Sequence, residues 1–102
     1  MERLNNTLII ITGASAGIGK HAIITLLAEI ENVNYTSKPI VIGISRRTVS
    51  DIKNENFRSK VADLSVPENV EKVFMEIDEE FPDRKISVLR WVFYFNRGNK
   101  LD

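Results

Sequence analysis

Cysteine is absent from the 102 residues, which removes disulfide scaffolds, thiolate metal sites and thiol chemistry in one step. Net charge is absent too: fourteen Lys and Arg face fourteen Asp and Glu, so no overall field draws the chain to nucleic acid or to an anionic membrane. Any positive site must be local. The single histidine, His21, has no companion ligands nearby and reads as a solvated helix residue rather than a metal ligand. Long apolar runs are also missing. Leu8 to Ile11 is far shorter than the ~7–15 residues of a signal-peptide core, and no stretch approaches the ~20 apolar residues of a membrane span. A soluble, cytoplasmic protein without nucleic-acid or membrane partners is expected. The length fits one domain of about 100–150 residues. A chain this small buries only about two-thirds of its unfolded surface, so a missing layer would leave an apolar face open.

What is present is a strand–helix alternation. Leu8-Ile9-Ile10-Ile11 is continuously apolar, as suits a parallel strand covered on both faces. From Gly17 the period changes: Ile18, Ala22, Ile23, Leu26, Leu27 and Ile30 recur at helical spacing. Asn32 to Pro39 reads as a loop, and Ile40 to Ile44 as a second covered strand. Thr48 to Glu55 is weakly patterned and is expected to hold one or two helical turns. A short third strand is expected within Phe57 to Leu64, around Lys60-Val61-Ala62. Ser65 followed by Glu68 resembles a capping box. It opens a helix with Val70, Val73, Phe74, Ile77 and Phe81 on one face, which Pro82 terminates. Ile86 to Phe95 is apolar and aromatic enough for a fourth strand. This order predicts an α/β fold with a doubly wound parallel sheet.

The first strand meets the first helix at Gly13-Ala14-Ser15-Ala16-Gly17-Ile18-Gly19. Gly13 suits a tight turn, Gly17 a close approach of backbone to a pyrophosphate, and Gly19 close helix–strand packing. A diphosphate there would face free N–H groups at a helix N-terminus, where the macrodipole favours negative charge. With Thr12 in front, the G-x-x-x-G-x-G spacing closely resembles the cofactor signature of short-chain dehydrogenases/reductases. Asp63-Leu64-Ser65 resembles a second family element. The resemblance implies that Asp63 contacts the adenine ring, that Leu64 lines the adenine pocket, and that Gly13, Ser15, Ala16, Gly17, Ile18 and Gly19 cradle the cofactor. It implies a Rossmann-type sheet, of which these residues make the N-terminal β-α-β-(α)-β-α-β half, incomplete at residue 89.

Charge at the end of the second strand bears on the choice of cofactor. An NAD site places a carboxylate there for the ribose hydroxyls, whereas an NADP site needs a cation for the 2′-phosphate. The positions read Ile44-Ser45-Arg46-Arg47. Ser45 is a candidate phosphate donor, and Arg46, with Arg47 beside it, offers a planar, permanently charged fork. NADP(H) is the expected cofactor.

Agreement with the family ends at Leu89. Its Asn-Asn-Ala-Gly run is replaced by Arg90-Trp91-Val92-Phe93-Tyr94-Phe95-Asn96, so residues 1–89 read as the cofactor-binding half-domain and 90–102 as a divergent aromatic and basic tail. An altered reading frame, a retained intron or a truncated gene model would each produce such a tail. The family's chemistry uses a Tyr acidified by a Lys four residues on. Here Tyr35 is followed by Pro39 and Tyr94 by Gly98, so no catalytic residue is assigned. The leading expectation is the cofactor-binding part of an NADP-dependent carbonyl reductase or alcohol dehydrogenase, inactive alone, whose small carbonyl or alcohol substrate would engage only a full-length form. A rival is a non-enzymatic fragment that associates with homologous subunits. A third is a complete minimal nucleotide-binding module.

Overall fold

A computed structural model of the chain describes residues 5–13 and 17–88. Its elements run β1 (Thr7–Thr12), α1 (Gly17–Glu31), β2 (Ile40–Ser45), β3 (Phe57–Val61), α2 (Pro67–Glu80) and β4 (Lys85–Val88). The four strands form one sheet in the order β3-β2-β1-β4, and every pairing in it is parallel. The fold is therefore α/β, with an all-parallel sheet and two helices.

Every residue of β1 and of β2 is buried, which is why both read as unbroken apolar runs rather than alternating ones. Side chains that alternate along these strands feed two separate cores. Ile9, Ile11 and Val41 pack with Ala22, Ile23, Leu27 and Ile30 of α1. Leu8, Ile10, Ile40, Ile42 and Ile44 pack with Val73 and Ile77 of α2. The two helices thus cover opposite faces of the sheet. Each fully buried Ile or Leu contributes about 1.5–3 kcal/mol relative to exposure, so both faces need their cover.

Ile18 departs from its expected place in the apolar stripe and is 43% exposed. The stripe runs instead through Gly19, Ala22, Ile23, Leu27 and Ile30, and Ile18 lies about 100° round the helix from Gly19. The segment 48–55 forms no helix. Asn54 explains why: its side chain accepts the Asn56 N–H at 2.8 Å, a local turn that competes with helical bonding. Val49 is buried and Ile52 half-buried against the α1 core, so the segment covers the sheet as an extended strap. The third strand occupies Phe57–Val61, the first part of the expected Phe57–Leu64 window; Val41 N–H bonds the Asn56 carbonyl and draws the chain into the sheet at that point.

The capping box does not form. Val66 occupies the cap position without a side-chain hydrogen bond, and Pro67 opens α2, where its missing N–H costs nothing. The Ser65 hydroxyl donates instead to Asp63 Oδ1 at 2.6 Å. At the other end Phe81 caps α2 through an N–H bond to the Ile77 carbonyl, and Pro82 follows as expected. Lys60 on β3 and Glu80 on α2 form an ion pair at 2.8 Å. The fourth strand begins at Lys85, and its expected continuation through Phe95, with the tail at 90–102, lies outside the described residues.

At the amino end of the sheet Asn6 joins three segments. Its N–H bonds the Ser37 carbonyl at 2.8 Å, its carbonyl accepts from Lys85 N–H at 3.3 Å, and its side-chain amide donates to the Asp83 carbonyl at 3.1 Å. It does this at a φ of 60°, the left-handed region that Asn tolerates better than most residues.

Candidate functional site at the carboxyl ends of the strands

In the order β3-β2-β1-β4 the chain leaves β1 through α1 on one face and enters β4 from α2 on the other. The winding reverses between β1 and β4. In open α/β sheets a crevice for ligands forms outside the carboxyl ends of the strands at such a reversal, and the glycine turn follows β1 at that end.

Gly13 has a φ of 69° and Gly17 a φ of 62°, both in the region that L side chains rarely adopt. They bend the chain sharply out of β1 and into α1. A Cβ placed on Gly17 would meet nothing within 4 Å, whereas one on Gly19 would stand 2.2 Å from the Gly13 carbonyl oxygen. The first position thus borders open space and the second is pressed against backbone. Ser15 and Ala16 lie outside the described residues. Ile18, in the first turn, is exposed.

Two backbone bonds hold the neighbouring strand ends level: Gly13 N–H to the Ile44 carbonyl and Ala62 N–H to the Ser45 carbonyl, both at 2.9 Å. They bring the residues after β1, β2 and β3 to one rim. Ser45 is 7% exposed, and its hydroxyl donates to the Arg47 carbonyl at 2.5 Å. Its proton is engaged in closing this turn. Arg46 and Arg47 are exposed, and neither guanidinium has a hydrogen bond or ion pair among the described residues.

Asp63 faces Arg46 across the ends of β2 and β3. Its carboxylate accepts from both the hydroxyl and the N–H of Ser65, at 2.6 and 3.0 Å. These bonds, with a smaller contribution from the Arg46 charge, hold its pKa below the ordinary carboxylate value of 3.8. Its backbone carbonyl accepts from Val66 N–H at 3.1 Å and from the Asn69 amide at 3.4 Å, tying the turn to α2. Leu64 is half-buried against the α2 core.

A groove of about 410 Å³ opens between these strand ends and α2, lined by Arg46, Val61, Ala62, Asp63, Asn69, Lys72, Val73 and Glu76. Arg46 and Asp63 were legible as site candidates. Asn69, Lys72 and Glu76 were not, although with Val73 they recur at the three-to-four-residue spacing that puts side chains on one helix face. A second groove, of about 390 Å³, runs between α1 and residues 51–54 and is bridged by the Lys20–Asp51 ion pair. The Lys20 bond lowers the Asp51 pKa.

Among the described residues no group of three His, Cys, Asp or Glu could hold a metal ion, and no helix is long and apolar enough to cross a membrane. Compared with known proteins, the chain matches no protein-family model and no curated protein.

Proposed function

We propose that the chain binds NADP(H), as the N-terminal half of a Rossmann-type doubly wound fold of the short-chain dehydrogenase/reductase kind. The observation that carries this reading is the glycine turn. Gly13 and Gly17 take positive φ at the carboxyl end of β1, and Gly17 borders open space while Gly19 seats α1 against the Gly13 carbonyl. That arrangement leaves the start of α1 free to receive a diphosphate on its N–H groups.

The second support is charge. Arg46 is an exposed cation at the end of β2, and Ile44 to Arg47 contains no carboxylate to bind a ribose or repel a 2′-phosphate. Because the Ser45 proton is taken by the Arg47 carbonyl, recognition of the phosphate rests on Arg46 rather than on Ser45. Asp63 stands ready as an acceptor for the adenine amino group.

A bound nicotinamide cofactor supplies hydride transfer, and the residues described here do the binding and orienting. Proton donation to a carbonyl needs a positioned acid, and no Tyr-x-x-x-Lys occurs in the sequence. In this reading these residues bind and orient the cofactor, and no catalytic acid is assigned among them. Calorimetric titration with NADPH and with NADH tests it. NADPH should bind more tightly; equal affinities would remove the NADP assignment, and no binding of either would remove the dinucleotide reading.

A further inference from the structure

We infer that Lys72, on α2, is a second cation for the phosphate on the adenosine ribose, acting across the groove from Arg46. The inference rests on the NADP(H) reading and adds to it a specificity residue from an element that the glycine turn and the end of β2 do not include.

The groove has the chemistry of a phosphorylated purine nucleoside. Val61, Ala62 and Val73 supply apolar wall, Asp63 a hydrogen-bond acceptor, and Arg46 and Lys72 the two cations. Both cations are exposed, and among the described residues neither side chain is engaged in an ion pair or hydrogen bond. By contrast Lys60, on the same side of the sheet, pairs with Glu80, and Lys20, on the α1 side, pairs with Asp51. Lys72 is thus available to an anion in a way that Lys60 and Lys20 are not. The Asn69 amide bond to the Asp63 carbonyl and the Val66 N–H bond to the same oxygen fix the first turn of α2 against the strand ends, which sets where Lys72 stands.

Glu76 lines the same groove one turn beyond Lys72, on the same helix face. Its carboxylate attracts Lys72 and repels a bound phosphate, so the two residues should have opposite effects. A phosphate dianion recruits Lys72 more strongly than one exposed carboxylate does, because it offers more charge and three acceptor oxygens.

The test is titration of the 102-residue protein, its Lys72→Gln and its Glu76→Gln variants with adenosine 2′,5′-bisphosphate and with adenosine 5′-monophosphate. Circular dichroism confirms that each variant keeps its helices, as expected for exposed positions. Lys72→Gln should weaken the bisphosphate by about five- to tenfold, the size of one solvent-exposed charge-assisted hydrogen bond, and leave the monophosphate nearly unchanged. Glu76→Gln should strengthen the bisphosphate by a smaller factor. An unchanged bisphosphate affinity in Lys72→Gln, or an equal loss for both nucleotides, overturns the role of Lys72 while leaving the NADP(H) reading intact. Failure of the folded parent protein to bind either nucleotide overturns both.

Discussion

Gly19 lies so close to Gly13 that a Cβ on the former would stand 2.2 Å from the carbonyl oxygen of the latter. A Cβ on Gly17, two residues earlier, would meet nothing within 4 Å, but Gly17 holds a φ of 62°. The two glycines are thus required for different reasons, and their substitutions should separate. Gly19→Ala must push α1 off the end of β1 and should cost about 1–3 kcal/mol, the usual range for overpacking. Gly17→Ala meets no atom and should cost only the left-handed strain of about 1–2 kcal/mol. Urea denaturation measures both. In binding the order should reverse for a larger group: Gly17→Val should keep a folded chain and lose NADPH, since its side chain would fill the open space before the helix N-terminus.

Arg46 carries the cofactor preference in the proposed reading. Arg46→Ala should weaken NADPH by about 1.5–3 kcal/mol, typical of a hydrogen bond to a charged group, and leave NADH almost unaffected. Calorimetry of the variant with both cofactors checks this. A parallel loss for NADH would point to a role in folding or in holding the adenine instead.

Asp63 makes stability depend on pH in a defined direction. Its pKa is lowered in the folded chain by the two Ser65 bonds and by Arg46, so the native state favours the ionised form. The stabilisation is complete above the unfolded value of 3.8 and fades as pH falls through the lower folded one. Asp63→Asn keeps an acceptor oxygen and removes the charge. The gap in urea midpoint between parent and variant should therefore be widest near neutral pH and shrink in acid below 3.8. A gap that widened in acid would contradict the assignment.

Asn6 should matter more to stability than a polar residue next to a strand usually does. Asn6→Ala removes the side-chain bonds to the Asp83 carbonyl and from the Ser37 hydroxyl, and places a less tolerant residue at a φ of 60°. The combined cost should be about 2–4 kcal/mol, from two hydrogen bonds and left-handed strain. Asn6→Gly, which relieves the strain and lacks only the two bonds, should cost less. Thermal unfolding of the two variants decides the order.

Much of this architecture was legible along the chain because β1 and β2 are buried on both faces and α1 follows a glycine turn. Unbroken runs such as Leu8 to Ile11, and the recurrence of Ala22, Ile23, Leu27 and Ile30, are direct images of the faces they bury. Parallel strands of this kind also dictate helices as connections, so the α/β class followed from local pattern alone. The positions of Gly13, Gly17 and Gly19 were readable for the same reason: each answers a constraint set by its immediate neighbours.

Tertiary structure decided what local pattern leaves balanced. Residues 48–55 carry a weak helical pattern, yet Asn54 closes a turn and Val49 and Ile52 are drawn onto the α1 core as a strap. Ser65 is a sound cap by its spacing, but its hydroxyl donates to the Asp63 carboxylate instead. The Ser45 hydroxyl, legible as a candidate phosphate donor, meets the Arg47 carbonyl once the turn after β2 forms. Lys72 belongs to a helix read only for its apolar stripe, and it reaches the rim of the groove because α2 crosses the opposite face to α1. In each case two alternatives of similar local energy compete, and the contact made across the sheet or the turn selects between them.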